Sequence, residues 1–406
     1  MEIIISYAFA HIIEAIILWM SMSQMYEHRY KQWVTGIAIM AGHAVMFGVF
    51  LTGNIYFITA INNSMYIVLM ALLFNVSKRS AVFWALIYNA MMAISEQLVF
   101  YVLQFIVGIR YIELKNAMSI IKGAGVAIVT PMKENEEVNY EKLQELIEWQ
   151  IDQGTDAIII AGTTGESSTL TMEEHSKVIK AAVEFAKHRV PVVAGSGSNC
   201  TREAIYLTQE AEEAGADGIL AVTPYYNKCT QGGLVRYYSE IAECTKLPII
   251  MYNVPGRTGC NILPETAAKI FKEVENVVAI KEATGSVAQA SQLMYLTDGR
   301  IDLYSGEDGI VVPLMAIGAI GVISVWSNVA PAKVHGMCQS FFNGDLQTAM
   351  KIQREAQPLV SALFSEVNPI PVKKALNLMG REVGTLRSPL TEMTDANAAV
   401  LADAMK

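Results

Sequence analysis

The stretch VVAIKEATG, residues 277–285, sets an apolar run, Val277 to Ile280, directly against Lys281 and Glu282. Such a run reads as a strand buried on both faces, as in a parallel sheet. A buried ammonium is costly unless it is paired or gives up its proton. The lysine therefore marks either a strand end with a task or a side chain that snorkels to the surface.

The same pattern recurs along the chain in GVAIVTP (125–131), AIIIAG (157–162), PVVAGSG (191–197), GILAVTP (218–224), PIIMYNVP (248–255), IDLYSGED (301–308) and GVISVWSN (321–328). Amphipathic helix patterns separate the runs, among them NYEKLQELIEWQIDQG (139–154) and TREAIYLTQEAEEAG (201–215). In the second, Thr201 reads as the N-cap and Gly215 as the stop. Eight strand–helix units over residues 123–346 predict an α/β chain closed into a (β/α)8 TIM barrel. A doubly wound sheet leaves the even count and regular spacing unexplained. Residues 347–406 form a predicted C-terminal helical region, with segments near 347–365, 370–379 and 392–405.

In such barrels chemistry collects at the C-terminal ends of the strands. Those ends supply Thr163 and Thr164, Tyr225 and Tyr226, Tyr252 and Arg257, Lys281, Gly306 and Glu307, and Ile323 to Trp326. The set contains no metal-ligand cluster, no phosphate-binding G-x-x-x-x-G-K-[ST] loop and no G-x-S-x-G elbow. It suits Schiff-base chemistry. A partly desolvated lysine can attack a ketone, a tyrosine supported by hydroxyls can move the protons, and Arg257 can hold a carboxylate bidentately. Glu282 alternates to the face opposite Lys281 and is expected to have a structural partner rather than act as the base.

Charge divides the chain unevenly. Residues 1–115 hold 5 of the 39 acids and 6 of the 30 bases, which leaves 34 acids and 24 bases after residue 115, so the acidic balance of the chain arises there, as do all 12 prolines and all 5 cysteines. The acidic part has no basic stripe, which argues against nucleic acid as a partner. Its cysteines are odd in number and lack C-x-x-C pairing, as expected of reduced thiols in the cytoplasm.

Residues 1–115 contain four long apolar stretches, roughly 3–22, 33–52, 55–77 and 81–109, joined by SQMYEHRYKQ, GN and SKRS. Each meets the length of about 20 residues needed to cross a bilayer, predicting an all-α four-helix transmembrane region in contact with lipid. Arg29, Lys31, Lys78 and Arg79 place the first and third gaps in the cytoplasm, whereas Arg110 and Lys115 favour an inside end that four crossings do not give. His11, Glu14, His43 and Glu96, ionisable within apolar segments, are functional candidates. The region loosely resembles the membrane sensor part of bacterial quorum-sensing histidine kinases, and no kinase domain follows.

From Met118 to the C-terminus the sequence resembles the dihydrodipicolinate synthase (4-hydroxy-tetrahydrodipicolinate synthase) family. The resemblance rests on AGTTGES (161–167), TPYYN (223–227), YNVPGRTG (252–259), IKEATG (280–285), SGED (305–308) and GVISV (321–325), in that order. It implies a carbon–oxygen lyase of lysine and diaminopimelate biosynthesis that condenses pyruvate with L-aspartate-4-semialdehyde without a metal or organic cofactor. It further implies that Lys281 forms the Schiff base, and that Tyr252 shuttles protons through a relay with Thr163 and Tyr226, the latter reaching across a dimer interface. Thr164 and the backbone near Ile323 would hold the pyruvate carboxylate, Arg257 the semialdehyde carboxylate, with Gly306 also lining the substrate site. The family is usually a homotetramer, a dimer of dimers. Where L-lysine inhibits, the effector site matches Ser167, Ser168, His175, Asn199, Glu203 and Tyr225. Met172 departs from a histidine found in some lysine-sensitive members. Related N-acetylneuraminate lyases and 2-keto-3-deoxy sugar acid aldolases share the barrel and the lysine, but typically lack the arginine of VPGRTG.

Residues 116–122 form the junction. MSIIKGAG (118–125) resembles the start of such a synthase, which reads as an artificial or mis-joined fusion rather than an evolved membrane-bound enzyme. The competing reading makes the barrel a non-catalytic pyruvate-binding module attached to a membrane sensor.

Overall fold

The computed structural model describes residues 15, 16, 18–50, 65, 66, 68–74, 76, 80 and 119–406. The chain divides into two compact units, Met1–Glu113 and Leu114–Lys406.

In the first unit, helix α1 (Gln32–Phe50) contributes Ile39 and Met46 to an apolar cluster with Leu18, Met22, Tyr66, Leu69 and Met70. Gly42 allows the approach, because a Cβ there would lie 2.8 Å from Leu69 Cδ1. The expectation of four transmembrane helices is not met among the described residues, where no helix is long and apolar enough to cross a membrane. An apolar stretch meets the length rule for a span, yet its side chains can equally be consumed in packing between segments, as Ile39 and Met46 are. The stretch 81–109 and the candidates His11, Glu14 and Glu96 lie outside the described residues. His43 is buried, its ring edge-on to Tyr66 with centroids 5.6 Å apart.

In the second unit, eight strands pair in chain order and in parallel: β1 (Gly123–Ala127), β2 (Ala157–Ile160), β3 (Val192–Gly195), β4 (Gly218–Val222), β5 (Ile249–Asn253), β6 (Val277–Glu282), β7 (Asp302–Ser305) and β8 (Gly321–Ser324). β8 closes on β1, making a closed barrel. The intervening helices are α2 (Tyr140–Asp152), α3 (Met172–Ala186), α4 (Thr201–Glu213), α5 (Gln231–Glu243), α6 (Pro255–Thr258), α7 (Pro264–Glu273), α8 (Val287–Leu296), α9 (Val311–Ala316) and α10 (Pro331–Phe342). Alternation along each strand divides the core. Ile158 and Ile160 of β2 join Val178 and Ile179 of α3 outside the barrel, while Ala157 and Ile159 join Val193, Leu220 and Ile250 inside it.

Local chemistry sets several helix starts. The Asn139 side chain accepts from the Lys142 N–H ahead of α2, and Thr171 and Glu174 form a capping box on α3. Thr201, expected as a cap, is instead the first residue of α4. Cys200 occupies the cap position without a side-chain bond, and the neighbouring Ser198 hydroxyl accepts from the Cys200 N–H and donates to Glu203. β1 also lies earlier than the run GVAIVTP implies: it ends at Ala127, and Ile128 and Val129 are buried beyond its end, with the Ile128 N–H still donating to the Ile159 carbonyl of β2.

After the barrel come α11 (Leu346–Glu355), α12 (Gln357–Leu363), α13 (Ile370–Leu378) and α14 (Asp395–Ala404). The single helix expected near 347–365 is two, since Pro358 lies in the first turn of the second and proline cannot continue the first.

Candidate active site

A cavity of about 50 Å³ opens at the C-terminal ends of the strands, lined by Thr163, Thr164, Tyr252, Arg257, Lys281 and Gly306 together with Glu307 and Asn368. A larger cavity, about 340 Å³, lies at the opposite end among Ser119, Pro191, Asp217, Lys246, Pro248 and Asn276. Its lysine is exposed, whereas the lysine of the first cavity is buried.

Lys281 is the penultimate residue of β6 and faces into the barrel, 5% exposed. Its Nζ lies 4.4 Å from the centre of the Tyr252 ring, and the two residues are direct partners across β5 and β6. Among the described residues it makes no ion pair. Glu282 points the other way, as alternation requires. Its carboxylate accepts from the Asn253 side chain at 3.1 Å and from the Thr284 N–H at 2.8 Å. Burial raises its pKa, and those hydrogen bonds pull it back.

Thr163 and Thr164 sit on a tight turn after β2, in which the Gly165 N–H donates to the Gly162 carbonyl and the Glu166 N–H to the Thr163 carbonyl. Glu166 follows in the left-handed region at φ 56° and is anchored from behind. Its carboxylate takes a 2.7 Å bond from Lys373 of α13, in an ion pair whose side chains are 1% and 0% exposed, and one from the Arg387 N–H. The Thr164 hydroxyl in turn accepts from the Asn368 side chain at 3.0 Å.

Arg257, on the single turn α6, donates from Nη2 to the Asn368 carbonyl at 3.0 Å. Gly306 has to be small, because a Cβ there would meet Ala283 Cβ at 2.6 Å and the Glu282 carbonyl at 3.0 Å. Two acids follow it. Asp308 is fully buried and accepts from the Val325 and Trp326 N–H groups, holding the chain after β8. Burial raises the Glu307 pKa and the Asp308 charge adds to this, while Lys281 and Arg257 oppose both.

Not every expected residue reaches this cavity. Ile323 is buried in the barrel interior on β8, paired with Gly125. Tyr226 is 91% exposed in the left-handed region at φ 71°, outside its own cavity. The residues matched to an effector site lie on the loops and helix starts that follow the adjacent strands β2, β3 and β4. Ser167 and Ser168 are in a short 3-10 turn, His175 is buried on α3, Asn199 and Glu203 are at the start of α4, and Tyr225 follows β4. Burial pushes the His175 imidazole down to about 4.

Sequence reasoning missed Asn368 and Lys373. Both belong to the segment after the barrel, where one polar residue among helical repeats gives no periodic signal, and both acquire meaning only when α13 docks against the turn after β2.

Residues 120–406 match the model of the "Dihydrodipicolinate synthetase family". A 4-hydroxy-tetrahydrodipicolinate synthase of Lachnoclostridium phytofermentans is 60% identical over 289 residues, covering 71% of this chain and 98% of that protein. The enzyme of the same name from Geobacter sulfurreducens is 54% identical over 285 residues, 70% of this chain and 98% of that protein. The crystal structure of dihydrodipicolinate synthase from Aquifex aeolicus superposes with a TM-score of 0.69 at 45% identity, over 70% of this chain and 97% of that one. A structure of the Cyanidioschyzon merolae enzyme with lysine bound gives a TM-score of 0.69 at 39% identity, over 70% of this chain and 97% of that one.

Proposed function

The chain belongs to the dihydrodipicolinate synthetase family, and from that premise we propose that its barrel condenses pyruvate with L-aspartate-4-semialdehyde to 4-hydroxy-tetrahydrodipicolinate, a step of lysine and diaminopimelate biosynthesis. The observation that carries this reading is a buried lysine, Lys281, which has no ionic partner among the described residues and lies against the Tyr252 ring, beside paired threonine hydroxyls and an arginine.

Lys281 Nζ attacks the pyruvate ketone carbon, and loss of water from the carbinolamine gives the imine. Removal of a methyl proton gives the enamine, whose carbon attacks the aldehyde. The amino group of the semialdehyde then attacks the imine carbon, closing the ring and releasing Lys281. Tyr252 carries the protons of these steps, relayed by Thr163 and by a Tyr226 contributed across a dimer interface. Thr164 and the backbone beyond Ile323 hold the pyruvate carboxylate, and Arg257 holds that of the semialdehyde. The arginine favours a short substrate with a carboxylate over the sugar acids taken by N-acetylneuraminate lyases. Assays with the semialdehyde and with N-acetylneuraminate separate the two.

L-lysine regulates through Ser167, Ser168, His175, Asn199, Glu203 and Tyr225, a reading supported by the lysine-bound relative, and the barrel assembles as a dimer of dimers. A membrane role for residues 1–115 rests on their apolar sequence, and fractionation of cells making the whole chain tests it. Borohydride treatment with pyruvate tests the enzyme itself: a reduced pyruvyl adduct forms on Lys281, and its absence overturns the proposal.

A further inference from the structure

The cavity contains a charge that the reaction scheme leaves unused. Glu307 lines it, and among the described residues its carboxylate makes no hydrogen bond and no ion pair. Asn368 lines it too. Its amide nitrogen is committed to Thr164 and its backbone carbonyl to Arg257, but its side-chain oxygen Oδ1 is buried without a partner among the described residues. A buried carbonyl without a donor costs about 1–3 kcal/mol, so an orphan at a cavity wall points to a donor that arrives with the ligand. The other two nearby acids do not line the cavity: Glu282 accepts from Asn253 and Thr284, and Asp308 accepts the N–H groups after β8 through Oδ2, its buried Oδ1 having no partner among the described residues.

The aldehyde substrate is a zwitterion. Its carboxylate has Arg257, while its α-ammonium carries three N–H donors and a full positive charge for which the scheme provides nothing. Resting on the function proposed above, we infer that Glu307 and Asn368 Oδ1 form the ammonium subsite, so that the cavity recognises an α-amino acid aldehyde at both charged ends. The electrostatics agree, since Lys281 and Arg257, which line the same cavity, both favour the charged form of Glu307. Glu307 is thereby a specificity residue. It separates the amino acid aldehyde from the same aldehyde acid without its amino group.

The test compares the full-length wild-type chain with Glu307→Gln and Glu307→Asp, using L-aspartate-4-semialdehyde as substrate and succinate semialdehyde, which lacks the amino group, as competitive inhibitor. Loss of one charge-assisted hydrogen bond raises the KM for the aspartate aldehyde about tenfold in Glu307→Gln. The inhibition constant of succinate semialdehyde and the borohydride trapping of pyruvate stay at wild-type values, and Glu307→Asp recovers part of the loss. An unchanged KM, or equal weakening for both aldehydes, overturns the subsite while leaving the enzyme reading intact. A wild-type chain that traps no pyruvate overturns the enzyme reading and the subsite with it.

Discussion

The Lys281 Nζ lies 4.4 Å from the centre of the Tyr252 ring, across a strand pair that makes the two residues direct partners. The sheet register fixes this geometry, so removing the phenol oxygen leaves the ring that packs beside the amine. Tyr252→Phe therefore retains the fold and slow trapping of pyruvate, and lowers kcat by about 10²–10⁴, the range for loss of a proton-transfer group. Rapid-quench trapping beside steady-state turnover measures both. Wild-type turnover in this variant would remove Tyr252 from the proton path.

The buried pair Lys373–Glu166 ties α13 to the turn that carries Thr163 and Thr164. Lys373→Met leaves the Glu166 carboxylate buried with the Arg387 N–H but without a cation. Breaking such a pair from one side costs about 3–5 kcal/mol. The double variant Lys373→Met with Glu166→Gln removes the stranded charge and regains part of that loss. Urea midpoints of the two variants measure it, and a double variant less stable than the single one would contradict the account.

The barrel was legible because each strand is a short apolar run between helix patterns, and Lys281 because it breaks such a run. Glu307 stands among the strand ends in the sequence, but nothing in SGED distinguishes an acid that faces a cavity from its buried neighbour Asp308. The pairs Lys373–Glu166 and Asn368–Thr164 join residues 207 and 204 positions apart, and no local pattern encodes contacts of that separation. The first unit misleads in another way: hydropathy records that a segment avoids water and is silent on whether lipid or protein replaces it.

His175 provides a pH signature. Its folded-state value is pushed down from 6.5 to about 4 by burial, and its Nδ1 has no partner among the described residues. Between those values the unfolded chain binds a proton that the folded chain does not, so stability rises with pH through this window and is lost as pH falls from about 6.5 to 4. The gap corresponds to about 3 kcal/mol at full development. His175→Gln flattens the dependence of the unfolding midpoint on pH across that interval. An unaltered slope would place the acid sensitivity elsewhere.

Tyr226 is the expected relay residue that its own cavity does not contain. It is 91% exposed, on a left-handed turn after β4, and the relay proposed for it is in a site on another copy of the chain. Inactive Tyr226→Ala and Lys281→Ala proteins, mixed through partial denaturation and reassociation, therefore regain activity. In a mixed dimer, one site combines an intact lysine from the first copy with an intact tyrosine from the second. A relay confined to one chain leaves every site of the mixture defective, and persistent inactivity after confirmed subunit exchange would exclude the shared arrangement.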